Sequence, residues 1–278
     1  MREKALVVAT VAAAGVALAF LLLPIVAIFS RTSPAHLLDQ LSNPVVKDAL
    51  VVSLKTTLIA QLLIVVFGTP LAFLLASGRF RGRALVVTLV ELPLVLPPAV
   101  AGIGLLAAFG RFGLLGSSLR ALGITLPFTQ TAVTIAVAYV ASPLYIRQAI
   151  AAFEAVDANM VAASRTLGAG PLRTFFRVTM PLASSGLAAG QAIALARGLG
   201  EFGATIMFAG SLQGKTQTLP LAVYYAFELP NGLEVSLAIS ALLVIFSIAV
   251  LMTVKLLTLH GASGLGSFVE RNRIGDPR

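Results

Sequence analysis

The chain has 278 residues, 58% of them hydrophobic and only 11% charged, with a formal net charge of +9. A mean hydropathy of +0.97 means more apolar surface than a water-soluble domain can bury, which places the chain in the membrane class. The lack of cysteine excludes disulfides, thiolate metal sites and cysteine catalysis, and no basic stripe with interleaved aromatics points to nucleic acid.

Six charge-poor windows follow one another. The first, residues 5–30, comes after Arg2 and Lys4, as a secretory leader would. It is longer than the roughly 7–15 apolar residues of a signal core and has no clear small-x-small cleavage site, so it reads as a retained span. The second and third, residues 56–78 and 84–109, exceed the roughly 20 residues that cross about 30 Å of hydrocarbon. The fourth lies between Arg120 and Arg147 with its apolar part at 131–145, the fifth covers 182–209, and the sixth covers 235–254. The predicted architecture is an all-α membrane protein, one transmembrane domain of about six helices with its core at about 43–255.

An even number of spans puts both termini on one side. Arg2, Lys4, Arg79, Arg81, Arg83, Arg147, Arg165, Arg173, Arg177, Lys255, Arg271, Arg273 and Arg278 then share a face, opposite Arg31, Lys47, Lys55, Arg111, Arg120 and Lys215. The positive-inside rule predicts that the first group, and both termini, are cytoplasmic. His36 and His260 lie near opposite ends and are not expected to share a metal.

Two windows carry unusual residues. In the third, Pro93, Pro97 and Pro98 follow Glu91 and remove backbone donors, so a broken or kinked helix is expected. Irregular backbone at membrane depth is tolerated where it is buried in protein or lines a cavity. Gly102, Gly104, Gly110, Gly113 and Gly116 extend the theme of close packing. In the fifth, Arg197 and Glu201 fall near the middle of the span, where each charge alone would cost about 2.5–3.5 kcal/mol on insertion scales. Their i, i+4 spacing predicts one helical face and mutual neutralisation, and Gly198, Gly200 and Gly203 around them allow close packing or a bend. Ser184, Ser185, Gln191 and Thr205 add polar groups in or near this span.

Residues 209–216, AGSLQGKT, match the phosphate loop G-x-x-x-x-G-K-[ST] except at the first position. That loop needs a preceding strand and a following helix to cradle phosphate. A membrane span precedes this one and Thr218-Leu219-Pro220 follows, so a glycine-containing external loop is expected. No G-x-S-x-G, H-E-x-x-H or paired membrane aspartates appear, so transport, a channel or a structural role remain in preference to hydrolysis.

Between the fourth and fifth windows lies a polar island, residues 153–182, reading FEAVDANMVAASRTLGAGPLRTFFRVTMPL. Its alanine-rich pattern, broken at Gly168-Ala169-Gly170-Pro171, predicts a short helix over about residues 157–167 that ends there. The island resembles the "EAA" coupling loop of binding-protein-dependent ABC importer permeases: E-A-A, three residues, Gly, nine residues, an aliphatic residue, one more, then an aliphatic residue and Pro. Ala162-Ala163-Ser164 stand at the E-A-A place, Gly168 at the glycine, Val178 at the aliphatic position and Met180-Pro181 at the end. The glutamate of the pattern is replaced by Ala162, and its third position by Ser164. The strings LPLVLPPAVAGIGLL (92–106), FGRFGLLG (109–116), AASRTLGAG (162–170) and ARGLGEFGATIMFAG (196–210) resemble the molybdate-type permease subunits, and the Gly-Glu-Phe-Gly core is shared by sulfate and thiosulfate permeases.

The resemblance implies a type I importer in a prokaryotic inner membrane, with two permease copies, two cytoplasmic ABC ATPase subunits and an external substrate-binding protein. The cargo it implies is a tetrahedral oxyanion, molybdate first, with tungstate or sulfate and thiosulfate as alternatives, and a stand-alone ion-coupled transporter as a more distant one. The chain itself would hold no ATPase site and no cofactor, ATP being used by the partner. The implied ATPase-coupling residues are Glu154, Asp157, Ala162, Ala163, Ser164, Gly168 and Pro181 in a loop at about 151–181. The expected translocation path or gate comprises Pro97, Pro98, Arg197, Glu201, Gly203 and Thr205. Moving a dianion into an inside-negative cell costs about 2.3 kcal/mol per charge at 100 mV, so import needs coupling to ATP.

Overall fold

Hydrocarbon offers no water to stray backbone N–H and C=O groups, so each apolar window must close its own hydrogen bonds as a helix. A computed structural model describes residues 2–78, 80–230 and 232–273, without the side chains of residues 2, 3, 5, 254, 255 and 257–273. Of the charges used above to assign sides, Arg2, Arg79, Lys255, Arg271, Arg273 and Arg278, together with His260, lie outside what is described.

Helix α1 (Arg2–Ser30) is followed by a short surface helix α2 (Pro34–Ser42), capped by the Ser33 hydroxyl, and by the long α3 (Pro44–Ser77), capped by Asn43. Helices α4 (Arg83–Val95) and α5 (Pro98–Phe109) come next, then a small α6 (Gly116–Ala121) and the long α7 (Gln130–Glu154). The polar island forms α8 (Ala158–Thr166), α9 (Pro171–Thr174) and a π-helical turn (Phe175–Thr179) that runs into α10 (Met180–Leu199). Helices α11 (Gly203–Ala209), α12 (Leu219–Phe227) and α13 (Gly232–Arg273) complete the chain. Among the described residues, five segments are long and apolar enough to cross a membrane, and the pair α4 and α5 makes a sixth.

The helices α3, α7 and α10 form the centre. Their buried faces are dominated by alanine and other small side chains, among them Ala60, Ala72, Ala141, Ala149, Ala183 and Ala194. Small residues let helix backbones approach closely, which is the main source of helix association where lipid tails compete with any apolar side chain. Buried polar links add to this: the Thr69 and Tyr145 hydroxyls lie 2.6 Å apart, and Gln191 Nε2 donates to Gln61 Oε1 at 2.8 Å. By contrast, no part of the apolar core of α1 is buried against the rest of the chain.

One window breaks as its prolines predict, and two others run differently from their sequence expectation. The third is two helices bent by 113° at the Leu96-Pro97 break, because neither Pro97 nor Pro98 can donate a backbone hydrogen bond. The fourth runs beyond its window between Arg120 and Arg147, as a helix that carries Arg147 and reaches Glu154; buried Ile146, Ala149 and Phe153 continue its packed face. The fifth was expected as one helix holding Arg197 and Glu201 at its middle. It stops at Leu199, and Glu201 lies in the break before α11.

The loop with the phosphate-loop pattern is preceded by α11, not a strand. It packs on α3, with Thr216 fully buried, its hydroxyl accepting from Leu212 N–H at 2.9 Å, and Leu219 N–H donating to Ser53 Oγ at 2.8 Å.

Close helix packing makes a direct prediction. A Cβ on Gly186 would lie 2.5 Å from Ala152 Cβ on α7, whereas one on Gly104 meets nothing within 4 Å. Gly186→Leu is expected to destabilise the fold by about 1–3 kcal/mol and Gly104→Leu by much less, measured by thermal unfolding in detergent.

Candidate functional site

Two places gather the residues that the sequence singled out. The first is the polar loop between α7 and α10. Asp157 Oδ1 accepts from Asn159 N–H at 2.8 Å and so caps α8. At the other end Gly168 takes φ +82°, Gly168 N–H donates to Arg165 O at 2.9 Å and Ala169 N–H to Ser164 O at 3.1 Å. That pair of bonds is a Schellman ending, which favours glycine at the left-handed position. Helix α8 is thus complete in itself and has no buried residue. Met160 and Leu167 are exposed, and a groove of about 400 Å³ runs beside Ala163, Ser164, Arg173 and Arg177.

Ser164 lies 3.1 Å from the Thr174 hydroxyl, which ties α8 to the helix that re-enters the membrane. Directly after Thr174 comes the π turn, where Met180 N–H reaches back to Phe175 O. Phe175 packs edge-on against Phe73 of α3 at 4.7 Å between ring centres, and Phe73 against Phe153 of α7 at 5.4 Å. Such aromatic pairs contribute about 0.5–1.5 kcal/mol each beyond area. Pro181 sits at the second position of α10, its carbonyl accepting from Ser184 Oγ at 2.7 Å. Glu154, assigned with the coupling residues, is not on α8: it closes α7 and is held in an ion pair by Arg83 of α4, whose Nε also donates to Leu75 O at 2.6 Å.

The second place is where two helix breaks meet. A Cβ on Gly203 would lie 2.7 Å from Pro98 Cβ, and one on Gly102 2.6 Å from Ala204 O, so α5 and α11 touch through glycine at both points. Pro97 caps α5. Glu201 Oε1 accepts from Ala204 N–H at 2.7 Å, and Arg197 Nη2 lies 2.7 Å from Glu201 Oε2. The ion pair expected from the i, i+4 spacing is present, but it crosses the end of α10 instead of lying along a continuous helix. It is also lopsided, for the Glu201 side chain is 1% exposed and that of Arg197 31%. Thr205 is fully buried, and its hydroxyl has no partner among the described residues.

Arg83 and Gln61 were not visible as functional residues in the sequence, since each matters through a partner distant in the chain, and Thr174 and the π turn carry no sequence motif of their own. Gly102 was signalled only by the run of glycines after Pro98.

Residues 68–259 match the family described as binding-protein-dependent transport system inner membrane component. The chain belongs to this family. The molybdenum transport system permease protein ModB of Mycobacterium tuberculosis is 40% identical over 235 residues, 84% of this chain and 88% of the relative. The ModB protein of Escherichia coli K12 is 42% identical over 186 residues, covering 66% and 81%. The sulfate transport system permease protein CysT of Salmonella typhimurium is 35% identical over 241 residues, covering 84% and 87%. Among solved structures, a bacterial ABC transporter that imports the acidic polysaccharide alginate matches with a TM-score of 0.63 at 16% identity, over 94% of this chain and 97% of that one. The MetNI methionine ABC transporter matches with a TM-score of 0.56 at 17% identity, over 78% and 94%. The chain therefore has the all-helical fold of importer permeases, and as a family member it is the membrane component of a transport system.

Removing Arg197 strands a buried carboxylate, a loss of about 3 kcal/mol for breaking a buried pair. Arg197→Ala should therefore lower the unfolding midpoint more than Arg197→Ala combined with Glu201→Ala. A double variant no more stable than the single one would contradict the pairing.

Proposed function

We propose that the chain is the permease of an ATP-driven importer for a tetrahedral oxyanion, molybdate in the first place. The observation that carries this reading is the 40% identity to a molybdenum permease across 84% of the chain. The sulfate permease relative at 35% identity favours a second cargo of the same geometry and charge, and tungstate shares both.

In this reading two copies of the chain form the path and two cytoplasmic ATPase subunits drive it. An external binding protein delivers the anion, and both termini face the cytoplasm of a prokaryotic inner membrane. The exposed, self-capped α8 supports the coupling role: a helix that spends no surface on its own chain is available to a partner. Ala162 and Ala163 keep it narrow. Ser164, through Thr174 and the Phe175–Phe73–Phe153 cluster, links it to α3 and α7, so that a push on α8 reaches the membrane helices. Asp157 and Gly168 define its two ends, Pro181 begins the span beyond the π turn, and Glu154 with Arg83 clasps α7 to α4 at the same face.

The test is ATP hydrolysis by the chain assembled in lipid with an ABC ATPase subunit from the same organism. Binding protein loaded with molybdate should stimulate hydrolysis, and binding protein supplied with sulfate should not. Stimulation by sulfate alone moves the cargo to the sulfate class, and failure to assemble with any ATPase favours a stand-alone transporter. The space around Gly168 is open, so a side chain there is opposed by its φ of +82° alone. Gly168→Val is expected to leave membrane insertion intact and to abolish the stimulated hydrolysis; normal stimulation would refute the role of this turn.

A further inference from the structure

Arg197 is a cation on a membrane-crossing helix, a placement that is costly and marks pathways more often than lipid-facing surface. Its partner is buried: Glu201 Oε1 accepts from Ala204 N–H at 2.7 Å, and Oε2 lies in an ion pair 2.7 Å from Arg197 Nη2. The guanidinium is not. Beyond the Glu201 contact it has no partner among the described residues, and 31% of the side chain is open. The exposed residues within about a turn of it are Ile193 and Ala196 on α10 and Gly200 just past its end, of which Ala196 and Gly200 are too small to cover it.

We infer that the open edge of the Arg197 guanidinium is a contact for the oxyanion in transit, and that Glu201 is a positioning residue that aims it and cancels its charge. This inference rests on the oxyanion-import reading above. The planar fork of N–H donors matches two oxygens of a tetrahedral oxyanion, as it matches carboxylate and phosphate. The carboxylate behind it serves a second need. Conduction requires a station favourable enough to enter and weak enough to leave. An unneutralised arginine at membrane depth would retain a dianion, whereas a pair of zero net charge offers directed donors without a deep well. Because Glu201 is pinned to the start of α11, movement at the break between α10 and α11 would also re-aim the guanidinium, which ties the contact to the conformational cycle.

The experiment uses the full complex with its ATPase in proteoliposomes, and reads molybdate uptake per assembled complex as loaded binding protein is titrated. The double variant R197Q/E201Q removes both charges and keeps an acceptor for Ala204 N–H. It is expected to assemble and to lose at least tenfold in maximal uptake, with the half-saturating concentration of loaded binding protein unchanged. R197K, which keeps the charge but not the fork, should lose several-fold. Uptake per complex at the level of the unsubstituted protein in either variant overturns the contact. So does loss of assembly in both, which would mark the pair as an interface between copies. Absence of molybdate uptake by the unsubstituted complex would instead refute the import reading itself, which separates the two failures.

Discussion

A backbone that leaves helical geometry inside hydrocarbon has no water to satisfy it, and among the described residues the breaks at Leu96-Pro97 and at Gly200–Phe202 meet this constraint together. Both interruptions survive because they cover one another. Gly102 and Gly203 bring α5 and α11 into backbone contact, and the Glu201 carboxylate supplies an acceptor for Ala204 N–H at the start of α11. Arg197 in turn makes that buried carboxylate tolerable. Prolines, glycines and the ion pair are therefore parts of one solution, in which irregular backbone at depth is sheltered by protein.

The polar loop between α7 and α10 solves the opposite problem. A short helix of a single polar loop is marginal alone, so α8 is closed by local devices, the Asp157 cap and the Gly168 ending, and leaves its sides free. Its link to the membrane is made by few but well-packed groups: a hydroxyl pair, a π turn and three phenylalanine rings drawn from α3, α7 and the π turn. Single π turns inside α-helices tend to occur at functional sites. Here one stands where the loop's motion would enter the bundle.

Much of this was readable from the chain itself, for reasons that differ by element. The apolar windows announced spans because composition alone decides whether a segment can enter lipid. Residues 157–167 announced a helix because its cap, its alanines and its glycine ending are all local. Pro93, Pro97 and Pro98 announced a break for the same reason, a missing N–H being a property of the residue. The fifth window misled. The i, i+4 spacing of Arg197 and Glu201 is compatible with a continuous helix and also with the observed break, since one turn of chain brings the two charges together in either case. The clasp of Glu154 by Arg83, 71 residues away, and the bond between Gln61 and Gln191, 130 residues apart, each need a partner that only folding brings near.

The sequence by itself determined that this is an all-helical membrane chain, where its backbone is weak and what its polar loop looks like, because hydropathy, missing donors and helix caps act over a few residues. Tertiary structure alone decided that the two weak points are one site, that Glu201 is buried while Arg197 stays partly open, and which groups connect α8 to the bundle. Those facts depend on helices packing within a side chain's reach of each other, and contacts between residues about a hundred positions apart leave no mark on local pattern.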